Sequence, residues 1–171
     1  MEIVTYVLEG ALEHKDSMGT GSVLRPGDVQ RMSTGTGVRH SEFNHSKTEP
    51  LHLLQIWITP KADGFNPDYE EKRFSNDEKK NQLRLIVSPD GAHGSLKINQ
   101  DAAIYVTLLD KNKTVVHQLK SGRHAWVQVI QGDLELNGQL LNVGDGASLE
   151  DLLEITLVAK ESAEVLVFDL P

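Results

Sequence analysis

The sequence predicts an all-β protein built from two similar β units. Three observations carry this: apolar residues recur with a period of two, one segment has the chemistry of a tight hairpin, and the chain repeats itself. Ile3, Thr5 and Val7 alternate with Val4, Tyr6 and Leu8 in a β-branched and aromatic run ending at Gly10. Leu51 to Ile58 forms a second strand between Pro50 and Pro60. The pattern continues at Ala103–Leu109, Val115–Leu119, Ala125–Ile130, Leu134–Leu136, Ile155–Ala159 and Glu164–Asp169. Asn137-Gly138, between two Leu-rich triplets, is the pair that a type I′ hairpin turn requires. No segment has the spacing of a long amphipathic helix. Residues 59–83 differ, with Pro60, Gly64, Pro67 and two charge runs. They read as an interdomain connection with one short helical turn and a solvated charged face.

The repeat pairs Val7-Leu8-Glu9-Gly10-Ala11-Leu12-Glu13 with Val129-Ile130-Gln131-Gly132-Asp133-Leu134-Glu135. It then pairs Leu24-Arg25-Pro26-Gly27-Asp28-Val29 with Leu141-Asn142-Val143-Gly144-Asp145-Gly146. Each copy is a strand, a glycine turn, a strand, a hairpin and a Gly-Asp turn, so the same β unit occurs twice.

Composition narrows the chemistry. The 171 residues include 17 Lys+Arg and 25 Asp+Glu, a net charge of −8. That acidic balance disfavours direct binding to nucleic acid. There is no cysteine, which excludes disulfides, thiolate metal sites and cysteine nucleophiles and fits a cytoplasmic location. The first ten residues lack the basic and apolar regions of a signal peptide, and no apolar run reaches the ~20 residues that span a bilayer.

Two copies of this unit resemble the cupin superfamily. The first copy is more specific: T-Y-V-L-E-G at 5–10, E-H-K-D-S-M-G at 13–19, R-P-G-D-V-Q-R-M at 25–32 and T-G-T-G-V-R-H-S-E at 34–42 together resemble the pirin family. The resemblance implies a bicupin, two jelly-roll barrels in tandem. The first, over residues 1–58, is incomplete at its N-terminus; 59–83 connects it to the second, over 84–171. The family's metal site resembles a cluster of three His and one Glu in the first barrel. Its H-x-E segment is His40-Ser41-Glu42 here. Its H-P-H segment falls just upstream of Met1, within an H-x-H-x-x-x-E whose last residue matches Glu2. The chain is therefore expected to lack roughly the first 50–60 residues of a typical member, given barrels of ~100–150 residues.

His40 and Glu42 are two apart on a strand, so both side chains can enter one barrel. One imidazole and one carboxylate suit Fe, Mn, Co, Ni, Zn or Cu, of which the resemblance implies iron first; two ligands alone make a weak site. The other reading has them hydrogen-bonding at a barrel mouth. His14 is a candidate to orient Glu42 or a substrate oxygen from behind the metal ligands; its alternative is a surface hairpin histidine. Val4, Tyr6 and Met32 are expected to line the pocket. In the second barrel, alignment on the Gly-Asp turn puts Leu157 where His40 stands, so that barrel is expected to be structural and metal-free.

The resemblance implies quercetin 2,3-dioxygenase activity, opening of a flavonol ring with O₂ at a divalent metal, impaired here by the two missing His ligands. Its substrate is a flavonol or similar small aromatic. The alternative is a non-enzymatic protein-binding or transcription-cofactor module, which the acidic charge suits. Neither reading involves a membrane or direct nucleic-acid contact. Strands of the first barrel left without partners predict a homo-oligomer formed through that exposed edge.

Overall fold

The computed structural model describes residues 1–171. In chain order the strands are β1 (Glu2–Glu9), β2 (Leu12–Asp16), β3 (Gly21–Leu24), β4 (Asp28–Ser33), β5 (His40–Asn44), β6 (His52–Ile58), β7 (Asp68–Arg73), β8 (Arg84–Ser88) and β9 (Leu96–Lys97). They continue as β10 (Ala103–Leu109), β11 (Thr114–Gln118), β12 (His124–Gln131), β13 (Leu134–Leu136), β14 (Gln139–Leu141), β15 (Gly146–Leu149), β16 (Glu154–Ala159) and β17 (Ala163–Leu170). The helical pieces are α1 (Asn76–Lys79) and a 3₁₀ turn at Ala92–Gly94. No helix is long and apolar enough to cross a membrane. The chain is all-β, in two compact units: Met1–Phe74 with Leu96–Gln100, and Ser75–Ser95 with Asp101–Pro171.

The first unit has one sheet in the order β6-β1-β4-β7 and another in the order β3-β2-β5. Its ladders are antiparallel, and their register fixes what the interior contains. Trp57, Ile3, Met32 and Tyr69 form one row across β6, β1, β4 and β7. Two residues along, Gln55, Thr5, Gln30 and Glu71 form the next. Both rows face β5, because Gln30 and Gln55 each donate a hydrogen bond to Glu42. Val7, Leu12 and Leu24, with Leu51 and Leu53 against them, form an apolar cluster beyond the polar row. Period two then sends Val4 and Tyr6 to the opposite face of β1. The expectation that these two line the pocket is corrected; Met32 is on the inner face.

Residues 59–83 do contain a helical turn. Ser75 caps it: its Oγ accepts from the Glu78 N–H (3.4 Å), and Glu78 accepts from the Ser75 N–H (2.8 Å). They also contain β7, fully paired with β4 from Asp28–Arg73 to Ser33–Asp68. β7 ends its sheet, and its Asp-Tyr-Glu-Glu-Lys-Arg sequence carries the charges of an edge strand. Those charges hid it as a strand.

The second unit has sheets β15-β12-β17-β10-β8 and β11-β16-β13-β14. Between them lies an aliphatic core that includes Val127, Val129, Leu134, Leu136, Ile155, Leu157, Val165 and Val167. Asn137 (φ 46°) and Gly138 (φ 85°) form the hairpin between β13 and β14, both in the left-handed region that a type I′ turn demands.

The repeat is real in three dimensions. β1 pairs with β4 and β6, and β12 pairs with β15 and β17. β2 pairs with β3 and β5, and β13 pairs with β14 and β16. Both copies carry a bulge at the matched place, between Val7 and Glu9 and between Val129 and Gln131. Gly10 (φ 79°) and Gly132 (φ 74°) follow these bulges. A Cβ at either would overlap a backbone carbonyl oxygen, of Pro50 or of Ser162. In both Gly-Asp turns the aspartate accepts a backbone N–H three residues back, Arg25 for Asp28 and Asn142 for Asp145, each at 2.8 Å.

Candidate functional site

The interior of the first unit gathers polar groups that its counterpart lacks. On β2 and β5 the ladder sets His14 opposite Glu42 and Asp16 opposite His40, so all four side chains share one face. His14 is fully buried. Its Nδ1 lies 3.4 Å from Glu42 Oε1 and its Nε2 lies 3.1 Å from Asp16 Oδ2. Its ring stacks between Tyr69 (centroids 5.0 Å) and His40 (5.8 Å). The surface-hairpin reading of His14 is thereby overturned: Glu13, Lys15 and Asp16 suggested solvent, but Glu13 and Lys15 pair with each other on the far face.

Glu42 is held from three sides. Gln30 Nε2 donates to Oε1 at 3.2 Å and Gln55 Nε2 to Oε2 at 2.6 Å, with His14 on Oε1. Trp57 Nε1 in turn donates to Gln55 Oε1 at 3.0 Å. Tyr69 Oη reaches Ser22 Oγ (2.7 Å) and donates to Glu71 (2.7 Å). Burial is the main force pushing the Tyr69 phenol well above its ordinary range, and the Glu71 carboxylate adds to it. Burial works against the charge on Asp16, but hydrogen bonds from His14 and the Thr20 and Met18 N–H groups outweigh it and hold the carboxyl below its ordinary value. Thr5 Oγ1 is buried with no partner, in the row between Gln30 and Gln55.

The second unit carries an aliphatic layer at the matched positions of the same skeleton. Through the matched ladders, Gln55, Thr5 and Gln30 become Val167, Val127 and Ala147. His14 and Glu42 become Leu136 and Leu157. Leu157 is thus the counterpart of Glu42, and Ile155 that of His40; alignment from the turn alone is two residues out because the loop before β5 is longer than the loop before β16. Thr5, His14 and Gln30 of this layer are buried, and burying polar groups costs free energy that the aliphatic layer of the second unit avoids.

His40 and Glu42 suit a first-row divalent ion in chemistry, one imidazole and one carboxylate. They do not complete a set: no three His, Asp or Glu side chains converge where an ion would sit. The other histidines stand apart. His45 pairs with Glu13 on the outer face (2.8 Å). His117 bonds Asp169 (2.9 Å), and Asp169 also accepts from Arg123, so these three close one end of the second core. Glu2, matched to the family's motif glutamate, is buried and accepts from Ser33 Oγ (2.7 Å) on the face opposite the site.

Comparison with known proteins places the chain in a family. Residues 85–170 match the family described as the quercetinase C-terminal cupin domain, and residues 1–58 match pirin. The chain belongs to the pirin family. It is 47% identical to the quercetin 2,3-dioxygenase of Escherichia coli K12 over 171 residues, all of this chain and 73% of that protein. It is 36% identical to a pirin-like protein of Caulobacter vibrioides, covering 99% of this chain and 73% of the other. The solved bacterial pirin YhhW of Escherichia coli, in complex with nickel(II), matches with a TM-score of 0.94 and 46% identity over 100% of this chain and 72% of that one. The bicupin fold implied by the sequence motifs is that of these pirins.

The structure brings together His14, His40 and Glu42, which the sequence singled out, with Gln30, Gln55, Asp16 and Tyr69, which it did not. Gln30 and Gln55 had a signal, since each is a polar residue on the inward period of an apolar strand. Tyr69 had none, because its strand was hidden in the charged segment.

Proposed function

We propose that this pirin is a quercetin 2,3-dioxygenase-type cupin and that His40 and Glu42 are its own share of a divalent metal site. The observation that carries the reading is the polar layer around Glu42, set against its aliphatic counterpart in the second unit. The relatives' names and the nickel-bound pirin support the same chemistry. Iron is the first choice of metal, and nickel, manganese, cobalt, zinc and copper fit the same donors. Bound there, the ion would act as a Lewis acid on the oxygens of a flavonol and as the site of O₂ chemistry.

The chain's residues do the rest. Gln30, Gln55 and His14 fix both carboxylate oxygens of Glu42, so its orientation is set before an ion arrives. His40 is exposed and stacks on the ring of His14. Tyr69 keeps its proton and offers it to Glu71. Ile3 and Met32, both buried, supply the apolar part of the inner face beside the polar row. The lack of cysteine suits a reducing compartment, and the reading places the protein in the cytoplasm.

Two donors by themselves hold a metal weakly, so the reading needs further donors beside His40 and Glu42. The test compares this chain with one preceded by a His-Pro-His segment, both loaded with Fe(II) or Ni(II). Elemental analysis is expected to give sub-stoichiometric metal in the first and about one ion in the second. Loss of flavonol absorbance should follow the metal, and His40→Ala with Glu42→Gln should abolish both. Equal metal and equal turnover in the two proteins, or full metal in the double variant, sinks the reading. The alternative, a protein-binding module, draws on the charge of −8 and predicts partner capture without metal.

A further inference from the structure

We propose that Trp57 is the specificity-determining platform of this site, on which a flat aromatic ring of the substrate stacks. The inference rests on the dioxygenase reading above and names a residue that reading does not need. Trp57 belongs to the inward row of the first unit, in register with Ile3, which is 3% exposed. Yet Trp57 itself is 64% exposed, the highest value among the large apolar side chains of the protein. An indole turned inward on a sheet face and still open to solvent presents its ring to whatever enters.

Its orientation is not left free. The indole N–H donates to Gln55 Oε1 (3.0 Å), and the amide of the same Gln55 donates to Glu42 Oε2 (2.6 Å). The ring plane and the carboxylate are thus linked through one side chain with both of its polar ends used. A ring stacked on Trp57 is registered against Glu42 through this link, and with it against the neighbouring His40. The counterpart of Trp57 in the second unit is Asp169, since Trp57 pairs with Ile3 as Asp169 pairs with Ala125. There the position is filled by an ion pair with Arg123, and no platform exists. A fixed, exposed indole recognises a planar aromatic by offset stacking and apolar burial, and discriminates against saturated rings of equal size.

The chain has two tryptophans, Trp57 and Trp126, so each can be read alone. In the Trp126→Phe variant, titration of metal-free protein with quercetin is expected to quench the remaining fluorescence saturably. In Trp57→Phe, which leaves only Trp126, the quench should vanish while quercetin still binds by its own absorbance shift. Trp57→Ala should weaken that binding about tenfold, whereas Trp57→Phe stays within about threefold of wild type, as the worth of an aromatic pair implies. Rescue by phenylalanine separates stacking from a mere loss of fold, which a thermal melt of each variant checks. Equal quercetin affinity in wild type and Trp57→Ala overturns the proposal and leaves the metal reading standing. No binding by wild type overturns it as well, and metal content, measured separately, then shows whether the assignment of His40 and Glu42 falls with it.

Discussion

Asp169 shows how a single charge can close a barrel end. It accepts from His117 Nε2 at 2.9 Å and from Arg123, which also reaches Asp101 at 3.0 Å. Burial raises the cost of its charge, but the bonds from His117 and Arg123 prevail and hold the carboxyl below its ordinary 3.8. A carboxyl whose folded pKa lies below its unfolded one stabilises the fold above the unfolded value. That contribution is present from about pH 5 upward and is lost as pH falls through 3.8 and below. Asp169→Asn should cost about 1.5–3 kcal/mol at pH 7, the worth of hydrogen bonds to a charged group. Urea melts from pH 2 to 7 should show the difference between variant and wild type shrinking toward the acid end. A constant difference across that range would assign the loss to packing instead. At this scale the sequence was half legible. His40 and Glu42 were visible as a spaced pair, while the partners that make Glu42 rigid come from β4 and β6, far along the chain.

Among the elements, the two glycine turns carry the repeat. Gly10 and Gly132 each follow a bulge, hold positive φ, and abut the backbone just before the strand that returns beside them. An alanine there meets both a left-handed backbone and a carbonyl that cannot move without moving its strand. Gly10→Ala and Gly132→Ala should each cost at least about 2 kcal/mol. By contrast, Gly138→Ala pays only the conformational cost, because nothing lies within contact of its missing Cβ. Chemical denaturation of the three variants ranks them; a Gly138 variant as unstable as the other two would refute the close-approach argument. The glycines were legible as a repeated pattern, but the reason for them was not. The oxygens they face belong to Pro50 and Ser162, brought close only by the β6 and β17 pairings.

For the whole molecule, the strands that end their sheets are where assembly is expected. β5 and β6 each have a neighbour on one side only in the first unit. Their outer backbone N–H and C=O groups form a template for another strand. The expected outcome is a dimer or larger species joined at this edge, read by light scattering at micromolar concentration. A monodisperse monomer would count against it. Replacing Ile56 with proline, which cannot donate to a ladder, would break β6 pairing within the unit as well, so a charged Phe43→Lys on β5 is the cleaner probe of the contact.

The amino-acid sequence by itself determined the all-β class, the twofold repeat, the Asn137-Gly138 turn and the pirin likeness. Each of these depends on neighbours in the chain: period two, turn chemistry, and short motifs such as His40-Ser41-Glu42. Tertiary structure alone decided which face of β1 looks inward, that residues 68–73 are a strand, and that Gln30, Gln55 and His14 converge on one carboxylate. Those facts depend on register between strands distant in sequence, and a shift of one residue would turn every one of those side chains to the other face.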